Sequence, residues 1–459
     1  MMTVLIAGAG PTGLTLAIDL ARRGINTRIV DKATEYFAGS RGDGIQPRTL
    51  EVFEDLGVLD QVLAQSLAAP PMKIRIGGAD FGIRHLHEEV AATPDRPYPN
   101  GRMLGQSRTE AILRDKLAEY GVKVESGTEL LGFTQNGDAV TATLATGETV
   151  VADYLVGADG GRSTVRKALG IAFEGVTDES IRMLVGDVSA AGLDHAFGYW
   201  FAKESNPMEG IALTPLSGGD QFQFAAPLVR DGLEADLATL QALVDEYAGP
   251  GAATLHHLTW STVWRSNVRL AERFRSGRVF LAGDAAHVHP PTGGQGLNTG
   301  VQDAYNLGWR LADGREPVLA AYETERRTNA QRVLGISTEL LHKHLDGDES
   351  ALERGENTRQ LDISYRDPSD PARITTGDRA PDSPLLRADG TRLRLFDLFR
   401  GPHETLLRFT PTAPSAHPHA VDLFRPAGRP DGYVSPEAFA FYDARDGLEL
   451  LVRPDGYLG

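Results

Sequence analysis

The chain has 459 residues, enough for two or three domains, and its 41% hydrophobic and 24% charged residues are typical of a globular protein. Its 46 basic and 62 acidic residues give a formal charge of -16, which argues against nucleic acid and anionic membranes as partners. The lack of cysteine excludes disulfides, iron–sulfur clusters, thiolate zinc sites and thiol redox chemistry.

The N-terminal segment MMTVLIAGAG has no basic leader, and no stretch reaches the ~18 continuous apolar residues of a membrane helix. We therefore expect a cytoplasmic enzyme without a membrane partner.

The first predicted elements are a strand, a glycine-rich turn and a helix. Residues 3–7 (TVLIA) are apolar and β-branched, as in a buried parallel strand, and GAGPTG follows at 8–13. Apolar residues then repeat at helical spacing up to Gly24, and a second strand at 27–30 ends in Asp31.

The residues of this turn have separate roles in dinucleotide binding. Gly8 permits the tight turn, Gly10 lets the backbone approach a pyrophosphate, and Gly13 lets the helix pack on the strand. The helix N-terminus offers unpaired N–H groups to the phosphates, and Asp31 accepts hydrogen bonds from a ribose diol. The segment therefore predicts a bound dinucleotide, but it does not separate FAD from NAD.

Two later segments complete the predicted nucleotide site. An apolar strand at 155–158 runs into Asp159-Gly160 and a helix start, which in isolation is an ordinary β-to-α loop. Residues 278–298 (RVFLAGDAAHVHPPTGGQGLN) contain a strand at 279–282, then Gly283-Asp284, a glycine-rich loop and a helix start. A glycine-lined helix N-terminus is suited to the negative charge that develops at the N1/O2 edge of a reduced flavin.

Together these motifs resemble the group A flavoprotein aromatic monooxygenases, the p-hydroxybenzoate hydroxylase family. The branch that hydroxylates aromatic polyketides and rifamycins is the most similar. The likeness spans roughly residues 1–345, and Ser40-Arg41 and Gln106 support it as smaller matches. By this resemblance Arg41 and Gln106 contact the flavin, Asp284 binds its ribityl chain, and Asp159 serves both FAD and a transient nicotinamide.

The resemblance implies FAD as cofactor, NADPH or NADH as electron donor, dioxygen as co-substrate and a flavin C4a-hydroperoxide as oxygen donor. The expected cofactor-binding residues are Gly8, Gly10, Pro11, Thr12, Gly13, Asp31, Lys32, Arg41, Gln106, Asp159, Gly283, Asp284, Pro291, Gly294, Gly296, Leu297 and Asn298.

Three residues are candidates for a direct part in catalysis. Arg41 is a cation that could balance the changing charge of the flavin, and Pro291 lies in a loop expected at its reactive face. Tyr199 is a candidate for deprotonating a phenol, although a packed sheet tyrosine is the simpler interpretation. The expected substrate is a small aromatic molecule, most simply a polyketide-type phenol. Baeyer–Villiger oxygenation of a polycyclic ketone and a catalytically silent FAD-binding protein remain alternatives.

The predicted fold class is α/β, with a Rossmann-like FAD domain at 1–70, 100–180 and 268–330. A substrate-binding β-sheet is predicted at 71–99 and 181–267, where apolar and polar residues alternate, and a helical connection at 331–365. Residues 366–459 read as a linker and, by resemblance, a thioredoxin-like domain without CxxC. We expect a monomer or a homodimer.

Several features are assigned no chemical role. His287 and His289 form an H-x-H pair without a suitable third ligand, so no metal is expected. Trp260 and Trp264 are assigned to packing, and Arg326-Arg327 to a solvated helix surface.

Overall fold

The structure is a computed structural model that describes residues 2–86, 88–228, 232–290, 293–345, 348, 355–426 and 432–459. Its helices are α1 (Pro11–Arg22), α2 (Pro47–Asp55), α3 (Leu59–Gln65), α4 (Gln106–Glu119), α5 (Thr164–Ala168), α6 (Leu237–Ala248), α7 (Gly296–Asp313), α8 (Glu316–Leu345), α9 (Glu356–Arg359), α10 (Leu395–Phe399) and α11 (Pro436–Phe441), with a 3₁₀ turn at Gly283–Ala285.

The strands of the N-terminal half are β1 (Thr3–Ala7), β2 (Asn26–Val30), β3 (Gly44–Ile45), β4 (Leu67–Ala68), β5 (Met72–Ile76), β6 (Ala79–Arg84), β7 (Arg102–Met103), β8 (Val124–Glu125), β9 (Leu130–Gln135), β10 (Val140–Leu144), β11 (Thr149–Ala152), β12 (Tyr154–Gly157), β13 (Phe173–Ala191), β14 (Gly198–Lys203), β15 (Asn206–Pro215) and β16 (Gln221–Pro227). The later strands are β17 (Thr254–Ala271), β18 (Arg275–Ser276), β19 (Val279–Leu281), β20 (His287–Val288), β21 (Pro384–Arg387), β22 (Arg392–Arg394), β23 (Thr405–Phe409), β24 (Ala420–Phe424), β25 (Tyr433–Val434) and β26 (Glu449–Val452).

A six-stranded sheet in the order β18-β19-β12-β1-β2-β8 forms the centre of the nucleotide domain. All of its pairings are parallel except that of β18 with β19. β1 has no polar residue after Thr3, because both faces of a parallel sheet are covered and its strands are buried on both sides. The predicted α/β fold class is confirmed, and the ends of β1, β12 and β19 place the three glycine motifs side by side.

An eight-stranded sheet in the order β20-β17-β13-β16-β15-β14-β5-β6 covers the nucleotide domain. In β16 every second residue is buried (Phe222, Phe224 and Ala226), and these side chains form a core with α6. The opposite face of the sheet is turned towards the loop that precedes β3. Strands β13 and β17 run without interruption through residues 180 and 267, where the sequence suggested domain boundaries, so both domains share them.

A third unit at the C-terminus contains a sheet in the order β22-β21-β25-β24-β23-β26 and helices α10 and α11. It packs on α2 through two ion pairs: Arg379 contacts Glu51 in a buried pair, and the partly exposed Arg394 contacts Glu54. None of the helices in the described ranges has the length and apolar composition needed to cross a membrane.

Candidate functional site

The turn between β1 and α1 is closed by glycines that leave no room for a side chain. Gly8 has a φ of 103°, and a Cβ there would collide with the carbonyl oxygen of Ala158. A Cβ at Gly13 would collide with the carbonyl oxygen of Gly8. A Cβ at Gly10 would instead meet nothing within 4 Å. The turn is therefore packed on one side and open at Gly10, where a phosphate can approach the backbone.

Asp31 holds this turn in place from the end of β2. Its carboxylate accepts hydrogen bonds from the backbone N–H of Ala9 at 2.7 Å and of Ala33 at 2.8 Å. Each carboxylate oxygen keeps further acceptor capacity, so the contacts leave Asp31 able to bind a ribose hydroxyl. The neighbouring Lys32 is exposed.

Thr12, in the first turn of α1, brings the N-terminal motif against the distant glycine motif. A Cβ at Gly283 would lie 2.5 Å from the Thr12 hydroxyl oxygen, and one at Gly300 would collide with the same atom. Pro11 precedes it at the start of the helix, where a missing N–H costs no hydrogen bond. The first turn of α1 thus packs against the Gly283 motif and against α7.

The Asp159-Gly160 turn is fixed by helix capping. The Asp159 carboxylate accepts from the N–H of Thr164 at 2.7 Å and of Val165 at 3.2 Å, the first residues of α5. Its observed role is therefore to orient the loop that follows β12.

Arg166 ties this turn to the Gly283-Asp284 motif, a contact that the sequence did not reveal. Its guanidinium donates to the carbonyl of Ala285 at 2.8 Å and to that of Gly161 at 2.9 Å. The side chain is buried and lies 3.8 Å from the ring centroid of Phe173. A buried arginine between two loops is not marked by any local pattern, so only the fold identifies it.

Asp284 faces a recess at the end of β19. Its side chain is accessible, although protein surrounds the recess. Desolvation raises the pKa of its carboxyl, and this effect outweighs the charges of His287 and Arg41, which lower the pKa. The charge of Arg41 acts on Asp284, so the predicted flavin-facing arginine lies near the predicted ribityl-binding aspartate.

Behind this recess lies a buried ionic cluster. Asp303 accepts from the Gly283 N–H at 3.0 Å, from His287 Nε2 at 2.6 Å and from Arg326 Nε at 2.7 Å. The prediction that Arg326 lies on a solvated helix surface is wrong: its side chain is 0% exposed. The arginine faces inward because its charge is paired with Asp303, a partner from another helix that sequence spacing does not show.

The start of α7 forms the remaining wall. The Asn298 side chain donates to the carbonyls of Gly44 and Gly294, both at 2.8 Å, and accepts from the N–H of Gln46 at 2.8 Å. These contacts occupy the side-chain amide of Asn298 and fix the start of α7, so any contact of Asn298 with a cofactor would be made by its backbone. Leu297 lies against Gly42, and Gly296 contacts the ring of His289. Pro291 lies outside the described residues.

Arg41 and Gln106 lie on the opposite side of the recess. Arg41 is exposed, with its guanidinium 4.7 Å from the ring centroid of Phe37 and 5.9 Å from that of Trp260. Gln106 donates to buried Glu110 at 2.7 Å. Burial raises the pKa of Glu110, and the charges of Asp31 and Arg41 also act on it. Arg41, Asp31 and Gln106 thus all lie near Glu110.

Comparison with known proteins identifies the family to which this chain belongs. Residues 1–337 match a family model described as an FAD binding domain. This chain belongs to the FAD-binding domain family of flavin-dependent aromatic monooxygenases. The resemblance inferred from the motifs is confirmed, and FAD is the cofactor.

Related monooxygenases match over much or all of the chain. A flavin-dependent monooxygenase of Mycobacteroides abscessus is 43% identical, over 100% of this chain and 96% of that protein. A rifampicin monooxygenase of Streptomyces venezuelae is 36% identical, over 73% of this chain and 70% of its own length. The structure of aklavinone-11 hydroxylase with FAD and aklavinone matches with a TM-score of 0.81 at 27% identity, covering 100% of this chain and 94% of that one.

The residues present in this monooxygenase fit FAD. Gly10 leaves the phosphate approach open, and α1 begins directly after it, so the unpaired N–H groups of its first turn are available to a phosphate. Asp284 and Arg41 supply one acceptor and one cation at the recess.

Tyr199 does not face this cleft. It pairs with Leu213, which pairs with Phe224, so all three lie on the face of the sheet that packs against α6. Its hydroxyl accepts from the N–H of Asp194 at 2.7 Å and donates to the carbonyl of the same residue at 3.2 Å. The candidate role in deprotonating a phenol is therefore corrected, since the ring is 3% exposed and its hydroxyl is already paired.

We expect Tyr199→Phe to leave turnover and its pH profile unchanged, because the variant loses only the two hydrogen bonds with the backbone of Asp194. The free energy of unfolding should fall by about 1 kcal/mol. Steady-state kinetics from pH 6 to 9, together with urea unfolding, test this. A loss of kcat restricted to low pH would instead restore Tyr199 as a base.

Proposed function

We propose that this chain uses FAD, a reduced nicotinamide and dioxygen to add one oxygen atom to an aromatic, polyketide-type phenol. The carrying observation is that Thr12 of the glycine turn packs against Gly283, while the charge of Arg41 acts on the neighbouring Asp284. The names of the rifampicin monooxygenase and the aklavinone-11 hydroxylase support the substrate class.

In the proposed reaction, FAD when bound supplies the redox chemistry between the nicotinamide and dioxygen. One molecule each of dioxygen, reduced nicotinamide and phenol, with one proton, gives hydroxylated phenol, oxidised nicotinamide and water. Such a donor is supplied in the cytoplasm, where we place the reaction, and the protein is proposed to act as a monomer or homodimer.

The chain's own groups position the reactants. Gly10 and the α1 N-terminus bind the phosphates, and Asp31 accepts hydrogen bonds from a ribose. Asp284 binds the ribityl hydroxyls, while Arg41 and the N-terminus of α7 balance negative charge at the flavin. Asp159 holds the loop at which the nicotinamide is proposed to interact.

We propose that the substrate lies on the face of the sheet that is turned towards the loop before β3. Ala212 pairs with Ala225, and Val185 with Thr262, on the same face as Gln223, whose side chain contacts this loop. Trp200 pairs with Ala212, so an aromatic ring stands beside these smaller side chains. A substrate bound there would exclude water, which protects a reactive oxygen donor from unproductive breakdown.

The decisive experiment measures NADPH and NADH oxidation with a panel of aromatic polyketides and simple phenols, under ¹⁸O-labelled dioxygen. We expect substrate-stimulated oxidation and a phenolic product that carries one labelled oxygen. The variant Gly10→Val, in which the phosphate approach is blocked, serves as the flavin-deficient control.

Other outcomes distinguish the alternatives. A labelled ester or lactone would establish Baeyer–Villiger oxygenation instead. If neither nicotinamide reduces the flavin with any member of the panel, the oxygenase proposal fails and a catalytically silent FAD protein is favoured.

A further inference from the structure

Three buried glutamines join the start of α7 to the residue that follows α9. Gln360, directly after α9, donates through Nε2 to Gln295 Oε1 at 2.6 Å, and its own Oε1 accepts from Gln302 Nε2 at 2.6 Å. Gln295 directly precedes α7, and Gln302 lies about two turns along that helix. All three residues are buried, and Gln360 is 0% exposed. The amides are therefore bonded to one another away from solvent.

Gln295 in turn fixes the glycine-rich loop at 293–295. Its Nε2 donates to the carbonyl of Gly293 at 2.7 Å and to that of Thr358, in α9, at 3.0 Å. Together with the bond from Gln360, these contacts use both N–H groups and the carbonyl oxygen of the Gln295 amide. The path of the loop is thus tied to α9 and to the residue after it.

Gln360 has an unusual backbone conformation at the point where it makes these bonds. Its φ is 61°, in the left-handed region that residues other than glycine seldom occupy. Such a conformation persists only where the surrounding contacts impose it. The bonds with Gln295 and Gln302 are contacts of this kind, so the strained residue and the loop are held together.

We propose that Gln360 is a positioning residue for FAD: through Gln295 it holds the glycine-rich loop and the first N–H groups of α7 where they meet the flavin. The inference rests on the proposed role of the α7 N-terminus at the flavin. Gln360 lies beyond residue 337, at which the match to the FAD binding domain ends. A residue outside the matched segment thus completes the flavin site.

The position of α7 matters most when the flavin is reduced. Negative charge then develops at the N1/O2 edge, and N–H groups at the start of a helix stabilise it. If the loop moves, reduced FAD loses more affinity than oxidised FAD, so the midpoint potential of the bound flavin falls. The released backbone N–H groups around residues 293–299 also exchange faster with solvent.

The test is the two-electron midpoint potential of FAD bound to Gln360→Leu, measured by equilibration with a reference dye. Leucine fills similar space but forms no side-chain hydrogen bond. We expect reduced FAD to lose about tenfold more affinity than oxidised FAD, which lowers the potential by about 30 mV. Hydrogen–deuterium exchange of the apoprotein should become faster around residues 293–299.

Gln241→Leu is the matched control. The Gln241 amide donates to Asp245 and to the carbonyl of Ala253, and it accepts from the N–H of Leu255. It belongs to α6, which packs on the face of the substrate sheet turned away from the loop before β3. The control loses a comparable set of hydrogen bonds, so its free energy of unfolding should fall while the flavin potential stays at the wild-type value.

Gln360→Gly separates backbone strain from the lost amide. Glycine adopts this φ without strain, so the variant should be more stable to urea than Gln360→Leu and yet show the same lower potential. It also provides the measurement if Gln360→Leu is too unstable to hold FAD. A wild-type potential in Gln360→Gly, or an equal fall in Gln241→Leu, would overturn the proposal. These assays need neither nicotinamide nor substrate, so their outcome is independent of whether oxygenation is observed.

Discussion

Replacing Asp303 by alanine is expected to lower the free energy of unfolding by about 3–5 kcal/mol. The carboxylate is 0% exposed and pairs with His287 and Arg326, whose guanidinium is also 0% exposed. Burial alone would raise the pKa of Asp303, but Arg326 and His287 outweigh it and the pKa is lowered. Removal of the carboxylate therefore leaves a buried cation without its partner.

Urea unfolding of the apoprotein at neutral pH measures this effect. The control is Asp362→Ala, which breaks an exposed ion pair with Arg332 and should cost at most about 1 kcal/mol. Adding Arg326→Met to Asp303→Ala should recover much of the loss, because an apolar side chain needs no counter-charge. Equal effects of the two single variants would show that the buried cluster contributes no more than the surface pair.

The same pairing has a pH consequence. The pKa of Asp303 is lower in the folded state than in the unfolded state. Its contribution to stability is therefore complete when the pH is above the unfolded-state pKa, and it is lost as the pH falls through the folded-state pKa. Asp303→Ala should therefore flatten the acid limb of the stability profile.

Replacing Gly10 by valine is expected to weaken FAD binding on the order of a hundredfold or more, which corresponds to about 3 kcal/mol. A Cβ at this position meets nothing within 4 Å, so the protein itself accommodates the substitution. The side chain instead occupies the space through which a pyrophosphate reaches the backbone. FAD titration of the apoprotein, combined with thermal unfolding, separates loss of binding from loss of fold.

Gly137→Val is the matched control, since Gly137 is exposed and a Cβ there also meets nothing within 4 Å. It should bind FAD as wild type does. Gly13→Val should lower the unfolding temperature as well as FAD binding, because a Cβ there collides with the carbonyl oxygen of Gly8 and strains the fold itself. Tight FAD binding by Gly10→Val would mean that the phosphates pass elsewhere.

The local patterns of the chain were sufficient to predict the nucleotide-binding turn and the strands on either side of it. The predicted strand at 3–7 is β1, and the predicted second strand at 27–30 is β2 extended by one residue to Asn26–Val30. Glycine spacing, helix period and a terminal carboxylate are all encoded within about thirty residues, so no distant contact is needed to recognise them. The later glycine motifs were also found, because each follows a short apolar strand.

The motifs of the sequence, through the family that they resemble, thus determined that FAD is the cofactor. Only the tertiary structure decided how single side chains are used. The side-chain amide of Asn298 binds Gly44 and Gln46, and Tyr199 points to the face of its sheet that packs on α6. Arg326 can be buried because it pairs with Asp303. The carbonyl of Ser40 accepts a hydrogen bond from the side chain of Gln223, which lies 183 residues away. A side chain's partner depends on which strands and helices become neighbours, and that information lies in long-range packing rather than in any local pattern.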